Sequence, residues 1–115
     1  MSIATDTIDG IRVVTAHGEI DHTHRETLYQ ELVPSQHATK GRTVLDLADV
    51  SFMDSSGINT LITAHQTLTK TGGWLRLTGA HGPVLRVIEL VGIDTVIDCH
   101  PTPHHALSLS FNDSA

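Results

Sequence analysis

The first twenty residues follow a two-residue rhythm. Positions 3–8 alternate weakly between apolar and polar, which suits an edge strand. Asp9-Gly10 is a strong hairpin signal, and a longer strand follows at 11–17. The rhythm then lengthens. Thr23, with Glu26 three residues on, reads as a capping box opening a helix whose inward face is Leu28, Tyr29 and Leu32. Pro34 stands at or just past its end, and 35–41 reads as a polar loop. A buried strand is expected at 43–47. From Ser55 or Ser56 to about position 71, Ile58, Leu61, Ile62, His65 and Leu68 fall at helical spacing. Gly72-Gly73 stops that helix, and Trp74–Thr78 reads as another strand. Pro83 suits the first position of a third helix, with Val84, Val87, Ile88 and Val91 on one side and Gly92 as its stop. Val96-Ile97 reads as a short strand. Thr102-Pro103 opens a last helix with Leu107 and Phe111 facing in, and 112–115 forms a frayed tail.

Strands and helices alternate after the opening hairpin. That order predicts one α/β domain over 1–115, with a mixed, mostly parallel sheet of about five strands and four helices. A chain of 115 residues suits one core. Aromatic residues are only 3%, so the core is expected to be aliphatic.

Charge narrows the function classes. The formal net charge is −6, and the seven basic residues, only two of them Lys, are scattered. Nothing forms the basic stripe that nucleic-acid backbones require, so no nucleic acid is expected as a partner; an acidic surface favours a basic patch on another protein. No apolar run approaches the roughly 20 residues of a membrane span, and no signal-peptide pattern opens the sequence. The expected setting is cytoplasmic, with no membrane partner. The lone Cys99 excludes an internal disulfide and a multi-cysteine zinc site.

The candidate chemistry lies at Asp54-Ser55-Ser56-Gly57, between a strand and a helix. Asp and Ser are good N-cap residues, and the free N–H groups and positive dipole of a helix start would stabilise a phosphate added there. No His or Lys lies in the segment to act as a general base. In a parallel sheet, loops after strand C-terminal ends gather on one edge. Gly18-Glu19-Ile20-Asp21, Asp49 and residues 54–57 are expected to share it. Glu19 and Asp21 read equally as solvated charges or as docking groups, and Gly57 as a turn requirement or a point of close backbone approach. Of the nine histidines, His22, His24, His104 and His105 lie closest in sequence. None has the spacing of a helical metal site, so no metal is expected; solvated or capping roles suit them, and a core-edge place suits His65. No Gly-x-Ser-x-Gly elbow and no phosphate-binding Gly-x-x-x-x-Gly-Lys loop occurs. The chain is therefore read as a binding protein rather than an enzyme, with no cofactor, and any kinase acting on it is another chain.

Phe52-Met53-Asp54-Ser55-Ser56-Gly57 resembles the phosphorylation loop of bacterial anti-sigma factor antagonists, small STAS-domain proteins. Gly18-Glu19-Ile20-Asp21 resembles that family's Gly-Glu-hydrophobic-Asp turn, and Thr71-Gly72-Gly73 its helix-to-strand turn. The resemblance spans nearly the whole chain. It implies a STAS fold and a switch: the unmodified form binds an anti-sigma factor, itself a serine kinase, and frees a sigma factor. Phosphorylation of Ser55 ends binding, and a serine phosphatase resets it. The family acceptor is the Ser after the Asp, hence Ser55, although local sequence does not separate it from Ser56. The implied docking set is Glu19, Asp21, Asp49, Asp54, Ser55, Ser56 and Gly57. Two rivals are a scaffold or ligand-sensing STAS module without a phosphorylation cycle, and a small hydrolase using Ser55 with a histidine.

The absence of a ligand-spaced histidine set makes a prediction. A chelator should leave the melting temperature unchanged, because a metal held only by the folded chain would contribute stability that chelation removes.

Overall fold

The computed structural model describes residues 1–33, 41–102 and 107. β1 (Ser2–Ile8) and β2 (Ile11–Ile20) pair antiparallel. The residues joining them, Asp9 and Gly10, have φ of 52° and 79°, the signs a tight two-residue hairpin needs. β3 (Arg42–Met53), β4 (Trp74–Thr78) and β5 (Asp98–His100) follow, each parallel to its predecessor from β2 onward, in the order β1-β2-β3-β4-β5. The mixed sheet of five strands is as expected.

Three helices, α1 (Arg25–Leu32), α2 (Ser55–Lys70) and α3 (Gly82–Val91), feed one aliphatic core. Leu28 and Leu32, then Ile58, Leu61, Ala64 and Leu68, then Val84 and Ile88 pack with Val14, Ala16, Leu45, Leu47, Leu75 and Leu77 of the sheet. Successive strand residues point to opposite faces. Ile11, Val13 and Val44 therefore form a smaller cluster on the other side, against Trp74 and Leu107. Among the described residues α1, α2 and α3 pack on one face of the sheet, and the C-terminal ends of β2 and β3 lead into the segments that open α1 and α2.

Several expectations need correction. The first helical turn is not capped by a Thr23–Glu26 box. It is a 3-10 turn, His22–His24, capped by Asp21, whose Oδ1 accepts from the Thr23 N–H at 3.0 Å and from the Thr23 hydroxyl at 2.6 Å. Thr23 lies inside the turn with its hydroxyl already spent, and α1 begins behind it without a side-chain cap. β2 and β3 run beyond 17 and 47 to Ile20 and Met53, because backbone pairing continues where side chains are polar and exposed. Val96-Ile97 is not a strand. Ile93 and Ile97 are both buried, four residues apart, and the Ile97 N–H donates to the Ile93 carbonyl at 2.8 Å, a helical turn that leads into β5. Val91 is exposed, Tyr29 and Ile62 are half-buried, and Pro83 is the second residue of α3. Gly92 ends α3 in the left-handed conformation, as its type suggests. Four helices were expected; the described residues hold three α-helices, and the last one expected falls outside them except for Leu107. Pro34, most of the polar loop and the tail also lie outside.

Leu61 is fully buried on α2 and Leu90 is 78% exposed on α3. Leu61→Ala should cost about 2–5 kcal/mol, whereas Leu90→Ser should stay within about 0.5 kcal/mol. Denaturant titration checks both; equal effects would contradict this packing.

Candidate functional site

The site is built where two adjacent parallel strands end. β2 and β3 stay paired through two register shifts that bring His17 opposite Asp49, Glu19 opposite Phe52 and Ile20 opposite Met53. Gly18, at φ 92°, supplies a backbone conformation at the second irregularity that other residues resist. The Asp54 N–H then donates to the Ile20 carbonyl at 3.2 Å, which joins the two strand ends directly.

Asp54 is extended and caps α2, its Oδ1 accepting the Gly57 N–H at 3.1 Å. Of the three candidate caps, Asp54 therefore performs the role. The N–H groups of Ser55 and Ser56, which belong to the first turn, have no acceptor within the helix. Ser55 is exposed. Ser56 is half-buried and its carbonyl accepts the Thr60 hydroxyl at 2.9 Å. Accessibility thus separates two hydroxyls that the sequence leaves equivalent. Gly57 is buried, and a Cβ there would stand 2.6 Å from Met53 Cγ and 3.0 Å from Ile20 Cγ2. Its small size is required by its own chain, since it seats the helix start on the two strand ends.

Of the expected acidic residues, Glu19, Asp21 and Asp54 stand at the two strand ends, whereas Asp49 lies within β3 opposite His17, and two of the four are partnered. Asp49 Oδ2 lies 3.2 Å from His17 Nε2, with both side chains largely exposed. Asp21 Oδ1 lies 3.0 Å from His24 Nδ1, too poorly aligned for a hydrogen bond but close enough to feel its charge. The two bonds from Thr23, with smaller contributions from His24 and His22, hold the Asp21 carboxyl below its usual value. Glu19 is exposed. Sequence reasoning missed His17, and it named His24 only as a solvated or capping residue; their acidic neighbours depend on strand register and on a turn. It also missed Phe52 as a surface group: this residue is 45% exposed between buried Val50 and Met53, an aromatic face beside Glu19.

An exposed serine at a capped helix start, above paired parallel strands on an α/β sheet, is the arrangement expected for this loop. The STAS domain model matches residues 2–106. The chain belongs to the STAS domain family. The anti-sigma-B factor antagonist of Bacillus subtilis (strain 168) is 33% identical over 86 residues, covering 74% of this chain and 77% of that protein. The crystal structure of an anti-sigma factor antagonist from Mycobacterium paratuberculosis is 31% identical, with a TM-score of 0.80 over 94% of this STAS chain and 92% of that one. The STAS fold is not tied to one role. The murine Solute Carrier 26 family member A9 anion transporter matches with a TM-score of 0.77 at 23% identity, over 91% of this chain and 18% of the transporter.

The lowered Asp21 carboxyl sets a pH dependence. A carboxyl depressed in the folded state contributes stability that is present above its unfolded value and is lost as pH falls through the folded one. Asp21→Asn should therefore melt below the native protein at neutral pH, and the gap should narrow on acidification below 3.8. Thermal melts across that range check it; a gap independent of pH would assign the cap's effect to geometry alone.

Proposed function

We propose that this STAS domain is an anti-sigma factor antagonist switched by phosphorylation of Ser55. The unmodified domain binds an anti-sigma factor that is also a serine kinase and so frees a sigma factor. Transfer of phosphate to Ser55 ends the complex, and a serine phosphatase restores the binding form. The observation that carries this reading is the exposed Ser55 hydroxyl on the first residue of α2, directly after its capping Asp54. The names of the relatives at 33% and 31% identity support the antagonist role.

The physics of the loop supports a switch of this kind. A phosphate on Ser55 would meet free N–H groups and the positive end of a 16-residue helix, so the fold tolerates it. It would bring about −1.5 to −2 charges to a docking edge of Glu19, Asp21, Asp49, Asp54, Ser55 and Ser56. Gly57, being buried, serves this edge from beneath. Phe52 is added to it as an exposed apolar contact. A kinase partner supplies ATP, and a shared transcription target places all of these proteins in the cytoplasm. Among the described residues no helix is long and apolar enough to cross a membrane.

Like charges or unmatched bulk at an interface cost several kcal/mol, and each 1.4 kcal/mol is about tenfold in affinity. The phosphorylated protein should therefore bind its kinase partner at least about a hundredfold more weakly, with little change in melting temperature. Ser55→Ala should bind and resist inactivation, whereas Ser55→Asp should mimic the modified form only in part. Intact-mass and peptide mapping after incubation with partner and ATP, together with calorimetry, test the reading. Phosphate mapped to another residue, or unchanged affinity of the modified form, would overturn it.

A further inference from the structure

Between α1 and α2 lies a groove of about 400 Å³, lined by Arg25, Glu26, Tyr29, Asn59, Thr60 and Thr63. That volume is within the roughly 300–1,000 Å³ range of small-molecule sites. We propose that it is a binding site for a small organic anion carrying hydroxyl or amino groups; its lining begins one turn along α2 from Ser55 and does not include either serine.

The Thr60 hydroxyl donates to the Ser56 carbonyl at 2.9 Å, and the Thr63 hydroxyl donates to the Asn59 carbonyl at 2.9 Å. Each hydroxyl hydrogen is thereby spent on the helix, and each oxygen keeps lone pairs as an acceptor. Glu26 is an acceptor as well, with one oxygen 3.4 Å from the Gln30 amide and the other uncommitted. This wall therefore wants donors from a ligand.

Arg25 supplies the opposite chemistry. Its guanidinium makes no hydrogen bond or ion pair with another described residue, and it is the cationic side chain in the lining. A planar fork of donors suits a carboxylate or a phosphate. The Asn59 amide likewise has no side-chain partner among the described residues and can serve either half of a ligand. Tyr29 forms a fixed wall, because its hydroxyl shares a 3.0 Å hydrogen bond with Thr67 on α2. The Glu26 carboxylate would repel an anionic group. A ligand is thus oriented, with its charge toward Arg25 and its donors toward Glu26, Thr60 and Thr63. Sugar phosphates, hydroxycarboxylates and amino acids share this chemistry.

The test is an amide chemical-shift titration of the full ¹⁵N-labelled chain with glucose 6-phosphate, citrate and glutamate, and with glucose and inorganic phosphate as half-ligands. At least one of the first three should give saturable shifts at Arg25, Asn59, Thr60 and Thr63 in the millimolar range or below. It should bind at least about tenfold more tightly than either half-ligand. Arg25→Ala, on an exposed helix position, should keep its melting temperature and lose about tenfold in affinity or more. Thr60→Val, which keeps the shape and removes the acceptor, should also weaken binding. Ser55→Ala should still bind the anion, because the Ser55 hydroxyl is not among the lining groups. No saturable shift, equal binding of inorganic phosphate alone, or an Arg25→Ala protein of native stability and affinity would each overturn the proposal. So would shifts at these amides produced by a protein partner but by none of the small anions.

Discussion

The Asp54 N–H donating to the Ile20 carbonyl is the contact on which the geometry of the candidate edge depends. Two parallel strands of different lengths would otherwise end independently, and the loops beyond them would find their own conformations. This bond fixes Asp54 over the end of β2, and Asp54 in turn caps α2 through Gly57. Gly57, with no side chain, lets the helix settle onto Met53 and Ile20. A larger residue would lift the helix start, stretch the cap and move Ser55. The buried stripe of α2, Ile58, Leu61, Ala64 and Leu68, then carries that fixed start down into the core. Position of the serine and stability of the domain are therefore products of the same packing.

Much of this was legible because local signals and tertiary structure agree. β4 is a largely apolar run between Gly73 and Gly79, and it was placed residue for residue at Trp74–Thr78. The Asp-Ser-Ser-Gly segment announced a helix start because its side chains favour one there, whatever lies around them. The failures have another character. The far half of β3 holds Ala48, Asp49 and Phe52 on the surface, and its strand geometry is imposed by the ladder with β2 rather than by its side chains. The cap at Asp21 competed with a plausible Thr23–Glu26 box, and a carboxylate placed ahead of the turn won over a hydroxyl inside it. Ile97 looked like a strand residue until its four-residue spacing from Ile93 became a turn.

The same distinction holds at the site. Ser55, Asp54 and the neighbouring acids could be read off the chain, since residue type and order carry that information. The histidines beside Asp49 and Asp21 could not, because one pairing is set by strand register and the other by a turn. Their presence alters the picture of a purely acidic edge. Phe52 adds an apolar contact amid these charges, and hydrophobic anchors of this kind usually contribute more to affinity than rim charges do.

The cap at Asp54 has a consequence for how information can travel through the molecule. The helix start is held by a hydrogen bond to a strand end, by a side-chain cap and by close packing beneath it. Little slack remains for a mark at Ser55 to move anything else. The mark proposed for Ser55 would be local text: it could be read only by a protein that touches the place where it was written. On that proposal, writer, reader and eraser would all have to approach the same few square nanometres, and they would have to take turns.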